Sequence, residues 1–224
     1  MKILLIGASG KMGREVISVC QSQNDKVVCG IDKECMQIEG VSVFDDIKLV
    51  DKSVDVMIDF STCENRQEYI NYSKENCLPY CCFSTLISDE DYKSFQSLSK
   101  TVPVLVCSNT SRGMNALLDM LEICKTRLVG ADVVVSEYHH KGKKDSPSGS
   151  AKSIIKDLES MFKELQISAF RVGNERGTHK VEFYLEDEVV EISHRVLSRR
   201  VFAVGAVDMA KKLLEKENGL FERL

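Results

Sequence analysis

Short apolar runs alternate with longer amphipathic stretches through the first half of the chain. Ile3-Leu-Leu-Ile6 predicts a strand, and a helix-like stretch reaches about Gln23. Val27-Val-Cys-Gly-Ile31 predicts a second strand ending in Asp32-Lys33. Further strands are expected at Val54-Asp-Val-Met-Ile58, Tyr80–Phe83 and Val104–Cys107, with helical patterns between them. Strand–helix alternation of this kind implies a parallel sheet covered on both faces.

After Gly113 the pattern changes. A helix is expected from Met114 to about Leu128, then a strand Asp132-Val-Val-Val-Ser-Glu-Tyr138 and a helix from about Ser148 to Leu165. Extended segments follow at Ile167–Arg171, Thr178–Leu185 and Val189–His194. Thr-His-Lys-Val-Glu-Phe-Tyr alternates as a half-buried strand does. A last helix is expected from about Val204 to Glu217. The predicted fold class is α/β: a Rossmann-like parallel sheet, then a smaller α+β part with an open sheet.

Composition narrows the function classes. The 34 carboxylates outnumber the 30 lysines and arginines, giving a net charge of −4. That argues against nucleic-acid partners, which need a basic surface. Hydropathy shows no apolar run near the roughly 18 residues of a membrane span, so no membrane partner is expected. The nine cysteines, Cys20, Cys29, Cys35, Cys63, Cys77, Cys81, Cys82, Cys107 and Cys124, contain no Cys-x-x-Cys. They read as reduced, mostly buried thiols, which implies a cytoplasmic protein.

Two constellations carry chemistry. Gly7-Ala8-Ser9-Gly10-Lys11-Met12-Gly13 lies between the first strand and the first helix. Glycines there give a tight turn, close approach of backbone to a pyrophosphate, and helix–strand packing. Asp32, at the end of the second strand, is placed to accept hydrogen bonds from an adenosine ribose. Lys33 beside it could instead meet a 2′-phosphate, so NADH and NADPH both stand as cofactor.

The second constellation is Glu137-Tyr-His139-His140-Lys-Gly-Lys143-Lys-Asp-Ser-Pro-Ser148-Gly149-Ser150-Ala151. Neighbouring histidines on a strand point to opposite faces and do not share a metal easily, so no metal is expected. His139 and His140 read as a proton donor and a hydrogen-bonding partner. A reference pKa of about 6.5 would let a histidine beside a lysine give up a proton near neutral pH. Lys143 supplies charge, and the helix start at Ser148-Gly149-Ser150 offers N–H groups to an anion. Such a site suits binding a small anion and protonating it.

This run resembles the signature E-x-H-H-x-x-K-x-D-x-P-S-G-T-A of the dihydrodipicolinate reductase family. The resemblance extends to Gly7-Ala-Ser-Gly-Lys-Met-Gly-Arg14, Ile58-Asp-Phe-Ser61, Ser108-Asn-Thr-Ser-Arg-Gly-Met-Asn115, Arg171-x-Gly-x-x-x-Gly-x-His179, Ile192-Ser-His194, Ser198-Arg199 and Gly219-Leu-Phe221, in family order. It implies NAD(P)H-dependent reduction of 4-hydroxy-tetrahydrodipicolinate, in lysine and diaminopimelate synthesis, by a homotetramer. The catalytic pair would be His139 and Lys143, with substrate contacts at His140, Ser148, Gly149 and Ser150. Cofactor contacts would be Gly7 to Gly13, Asp32, Lys33, Ser84, Thr85, Cys107, Ser108, Asn109 and Thr110. The implied domains are 1–108 with 200–224 for the dinucleotide, and 109–199 for substrate and oligomerisation.

Departures from the family pattern are visible too. Its G-T-T-G loop aligns with Phe83-Ser-Thr-Leu86, and losing both glycines should reshape the nicotinamide pocket. Thr110 and Arg112 replace apolar residues. Two rival readings remain: a dehydrogenase acting on a related amino or imino dicarboxylate, and an NAD(P)-binding regulatory protein. Retention of the His-His-x-x-Lys…Ser-Gly-Ser set speaks against both.

Overall fold

The computed structural model describes all residues except 51, 52, 63, 64 and 163, so Cys63 lies outside the described residues. The chain divides into two compact units, residues 1–110 with 202–224, and residues 111–201.

Unit 1 is built on an eight-stranded sheet. In chain order its strands are β1 (Lys2–Ile6), β2 (Lys26–Ile31), β3 (Met36–Ile38), β4 (Val41–Phe44), β5 (Val56–Asp59), β6 (Tyr80–Cys82), β7 (Pro103–Val106) and β12 (Gly219–Phe221). Their order across the sheet is β12-β7-β6-β5-β1-β2-β4-β3. Every pairing is parallel except the β3–β4 hairpin. Its turn places Glu39 at φ 49° and Gly40 at φ 84°, which suits a tight two-residue reversal.

Central strands are buried on both faces, as their unbroken apolar runs predict. Helix α1 (Lys11–Gln21) and most of α6 (Arg200–Leu214) cover one face, through Val16, Val19, Cys20, Ala206, Val207 and Leu213. Helices α2 (Arg66–Glu75) and α3 (Asp89–Leu98) cover the other, through Tyr69, Ile70, Phe95 and Leu98. The chain runs outward from β1 through β2 to β4, then returns to β5 on β1's other side. The reversal puts a topological switch point beside β1, where ligands of such sheets bind.

Unit 2 holds a four-stranded sheet in the order β11-β10-β8-β9. Its strands are β8 (Asp132–His139), β9 (Leu165–Arg171), β10 (Thr178–Tyr184) and β11 (Val189–Arg195). Only β8–β9 is parallel. Helices α4 (Arg112–Arg127) and α5 (Gly149–Leu158) pack on one face over Val133, Val135, Val181 and Phe183.

Several elements differ from the sequence expectation. Helix α5 ends at Leu158, well short of Leu165, because Leu165 pairs with Val133 as the first residue of β9. Strands β3, β4 and β12 were unassigned; each is only three or four residues long, too short to show a period. Cys20, Cys29, Cys81, Cys82 and Cys124 are buried free thiols, Cys107 is half-buried, and Cys35 and Cys77 are exposed. Among the described residues, no helix is long and apolar enough to cross a membrane.

Candidate active site

In unit 1 the parallel strands bring the sequence-predicted cofactor residues to one edge of the sheet. Gly7 to Gly13 follow β1, Asp32 and Lys33 follow β2, Ser84 and Thr85 follow β6, and Cys107 to Thr110 follow β7. The glycine loop is tied down by its backbone: Gly7 and Ala8 N–H groups donate to the Ile31 carbonyl at 2.8 and 3.3 Å. Gly7 sits at φ 78°. A Cβ on Gly13 would collide with the Gly7 and Ala8 carbonyl oxygens. Only glycine lets the start of α1 lie this close to the loop, and the cradle fits a phosphate group at a helix N-terminus.

Asp32 is preorganised by its neighbours. Its Oδ2 accepts from the Ser9 N–H at 2.8 Å and Ser9 Oγ at 2.5 Å, and its Oδ1 accepts from the Lys33 N–H at 2.8 Å. Partial burial alone would raise its pKa, but these hydrogen bonds outweigh it and hold the carboxyl below its usual value. The charge is therefore in place for a hydrogen-bond donor.

The altered loop has a structural basis. Phe83 is buried against Phe60, ring centroids 5.3 Å apart, so it serves the core. Leu86 points outward, 63% exposed. The loop backbone is fastened by Arg66, whose Nη1 donates to the Leu86 carbonyl at 2.9 Å and to Asp91 Oδ2 at 2.5 Å. Asp59 lies beneath, fully buried, accepting from Tyr80 at 2.8 Å and the Ser61 N–H at 2.7 Å. Burial pushes the Asp59 carboxyl up against those hydrogen bonds. Sequence reading marked Asp59 only as part of a motif and missed Arg66. Its signal was a lone arginine opening an amphipathic helix.

In unit 2 the sheet register explains the second constellation. Along the helix-covered face, β8 runs Val133, Val135, Glu137, His139, and β10 runs Phe183, Val181, His179 in the opposite direction. Both strands change from apolar to polar at the same end. Arg171 of β9 pairs with His139, and His194 of β11 pairs with His179. Strand alternation thus delivers a carboxylate, three histidines and a guanidinium to one corner.

Glu137 is the hub of that corner and is 1% exposed. Its Oε1 accepts from the Ser148 N–H at 3.0 Å and from Arg171 Nη2 at 3.1 Å. Its Oε2 faces His139 Nδ1 at 3.4 Å and His179 Nε2 at 3.6 Å. Burial would raise its pKa, but the nearby His179 ring and the hydrogen bonds from Ser148 and Arg171 hold it well below the carboxylate range. The rings of His139 and His179 meet edge to face, centroids 5.2 Å apart. Donor atoms of Glu137, His139 and His179 lie within 4.8 Å of one another, a spacing a metal ion could use. Sequence reading weighed only the adjacent pair His139 and His140 for that role; the trio arises from strand pairing.

The proton chemistry needs a correction. Sequence reading took His139 to titrate near its reference value. Burial instead lowers its pKa to about 4, outweighing the attraction of Glu137. At neutral pH His139 is an uncharged imidazole. The cation beside it is Lys143, whose Nζ pairs with Asp145 at 2.8 Å.

His140 lies on the other side of the strand end and lines a cavity of about 420 Å³ with Lys141, Arg176 and Arg199. Gly142, Gly173 and Asn174 complete the wall, and among the described residues no carboxylate lines it. Such a cavity favours an anion. Sequence reading did not single out Arg176 or Asn174. The predicted Ser148 caps α5, its hydroxyl accepting from the Ala151 N–H at 3.2 Å, and Gly149 and Ser150 form the first turn.

Two family models describing the N-terminus and C-terminus of dihydrodipicolinate reductase match residues 1–110 and 113–223. The chain belongs to the dihydrodipicolinate reductase family. Among curated members, the 4-hydroxy-tetrahydrodipicolinate reductase of Thermosipho africanus is 33% identical, covering 99% of this chain and 95% of that one. The enzyme of the same name from Caldanaerobacter subterraneus subsp. tengcongensis is 31% identical, over 99% and 96%. A dipicolinate-bound dihydrodipicolinate reductase from Paenisporosarcina sp. TG-14 shares the fold, with a TM-score of 0.86 at 18% identity, covering 99% and 97%. The aspartate dehydrogenase of Thermotoga maritima superimposes less closely, with a TM-score of 0.55 at 16% identity over 96% and 97%.

Proposed function

We propose that this member of the dihydrodipicolinate reductase family reduces 4-hydroxy-tetrahydrodipicolinate to tetrahydrodipicolinate, a step of lysine and diaminopimelate synthesis, with NADH or NADPH. The observation that carries the reading is the Glu137–His139–His179 corner beside Lys143, retained in a chain that matches the family from end to end. Reduced nicotinamide, when bound, supplies the hydride.

Unit 1 is read as the dinucleotide-binding domain. The α1 N-terminus and glycine loop receive the pyrophosphate, Asp32 accepts from the adenosine ribose, and Lys33 flanks it. Residues Ser84, Thr85 and Cys107 to Thr110 border the nicotinamide side. Unit 2 is read as the substrate domain. One carboxylate of the dianion docks at His140 and the basic cavity, the other on the first turn of α5 at Ser148, Gly149 and Ser150.

The substrate's 4-hydroxyl leaves as water to give the conjugated ring; as hydride adds to that ring, the electron pair displaced onto the neighbouring atom must be met by a proton. In this reading the Lys143 ammonium gives the proton, and uncharged His139 can accept or relay one. The outer face of the unit 2 sheet exposes Phe170, Tyr184 and Val189, and we assign it to assembly of a homotetramer.

The test is an assay on enzymatically generated 4-hydroxy-tetrahydrodipicolinate, following loss of reduced-nicotinamide absorbance with NADH and NADPH separately. Substrate-dependent oxidation is the expected result. Nucleotide binding without oxidation would overturn the reading in favour of a regulatory protein.

A further inference from the structure

Glu137 does more at this corner than neutralise Arg171, because its two oxygens face partners of different kinds. Oε1 is occupied by two groups that can only donate: the Ser148 backbone N–H at 3.0 Å and the Arg171 guanidinium at 3.1 Å. An oxygen is therefore obligatory at that position. Oε2 points at His139 Nδ1 (3.4 Å) and His179 Nε2 (3.6 Å), and a carboxylate oxygen can only accept. A neutral imidazole offers either a donor or an acceptor at Nδ1, and the partner decides which.

We propose that Glu137 is a positioning residue that fixes His139 in the Nδ1–H tautomer, leaving the Nε2 lone pair to handle the reaction's proton. The inference rests on the reading of His139 as a proton-handling group. Two further observations support it. Gly177 stands opposite Nε2: a Cβ there would lie 3.1 Å from that nitrogen, and the residue's φ of 148° favours glycine. The reactive nitrogen is thus left uncovered by a side chain at that position. His179 reaches Ser148 Oγ at 3.1 Å, and Ser148 caps α5. One carboxylate thereby aligns the imidazole with the helix start assigned to a substrate carboxylate.

The isosteric variant Glu137→Gln gives a sharp test. Ser148 N–H and Arg171 still demand an oxygen, so the amide group must turn its NH2 toward His139. A donor there forces Nδ1 to accept and moves the imidazole proton to Nε2. Long-range 1H–15N spectra of histidine-labelled protein report the tautomer directly, and thermal melting confirms that each variant is folded. The expected result is Nδ1–H in the native protein and Nε2–H in Glu137→Gln. kcat should fall by about 10²-fold with cofactor KM unchanged, since a wrongly protonated histidine in an intact site is costly. Glu137→Asp keeps acceptor polarity on a shorter arm and should retain the Nδ1–H tautomer with a smaller loss.

An Nε2–H signal in the native protein, or an unchanged tautomer in Glu137→Gln, would overturn the proposal. A switched tautomer with near-native turnover would overturn the positioning role. His139→Gln then separates the two failures: if it also keeps turnover, the functional reading of His139 falls; if it does not, only the tautomer argument falls.

Discussion

The glycine loop of unit 1 and the histidine corner of unit 2 are built in opposite ways. The loop uses backbone: a glycine at φ 78°, the absence of a Cβ at Gly13, and N–H groups bonded to the Ile31 carbonyl. At the corner, His139, Arg171 and His179 from three strands and the helix cap Ser148 gather round the buried carboxylate of Glu137. A backbone site needs particular residues at a fixed local spacing, so it is readable along the sequence. A side-chain site depends on pairing between distant strands, and only its local part is readable.

The corner tolerates least. His139→Gln or Lys143→Ala should lower kcat by about 10²–10⁴-fold while nucleotide Kd barely changes. Isothermal titration with the nucleotide, beside steady-state kinetics, checks both halves. If either variant kept near-full turnover, the role given to that residue would be wrong. If nucleotide affinity fell in parallel, the division of labour between the two regions would fail.

The loop predicts a smaller, cofactor-specific effect. Asp32→Ala removes the acceptor that Ser9 and Lys33 orient, a loss of about tenfold in NADH affinity for one charge-assisted hydrogen bond. NADPH should weaken less, because its 2′-phosphate has no use for a carboxylate. Equal weakening of both would sink the ribose assignment.

Stability against pH separates the regions again. Folded His139 stays uncharged down to about pH 4, whereas in the unfolded chain it takes up a proton near 6.5. The unfolded state therefore binds more protons in that window, and stability falls as pH drops from about 6.5 to about 4. Glu137, held below the carboxylate range, adds a loss in the same direction at lower pH, once its unfolded form begins to protonate. Thermal midpoints across this window should fall less steeply in His139→Gln than in the native protein. Superimposable profiles would contradict the buried, uncharged histidine.

These contrasts show how far the sequence reached. The parallel sheet was legible because short apolar runs alternate with helical patterns along the chain, and the loop because its glycines have fixed spacing. His139, Lys143 and Ser148, whose roles stand as proposals, could be singled out because they lie on one contiguous stretch. His179 and Arg171 were noticed only through family resemblance, since their place beside Glu137 follows from the β8–β9 and β8–β10 registers. Arg66 and Arg176 went unread: only the fold brings Arg66 to the Leu86 carbonyl and Asp91, and Arg176 to the wall of the His140 cavity. The charge state of His139 was misjudged because burial, which sets it, is a property of the fold.

The smallest effect tests what replaced the family's glycines. Of the two changed positions, Phe83 fills the core against Phe60, while the Leu86 side chain is mostly exposed. What the structure uses at Leu86 is backbone: its carbonyl accepts from Arg66 and its N–H donates to Ser84 Oγ at 3.2 Å. Leu86→Ala should therefore change stability by no more than about 0.5 kcal/mol, as for an ordinary surface position, and shift cofactor KM by less than about twofold. Arg66→Ala is the informative contrast, because it releases the loop carbonyl and leaves Asp59 and Asp91 without their guanidinium. If Leu86→Ala alters KM as strongly as Arg66→Ala, the side chain itself covers the nucleotide, and this part of unit 1 is a side-chain site after all.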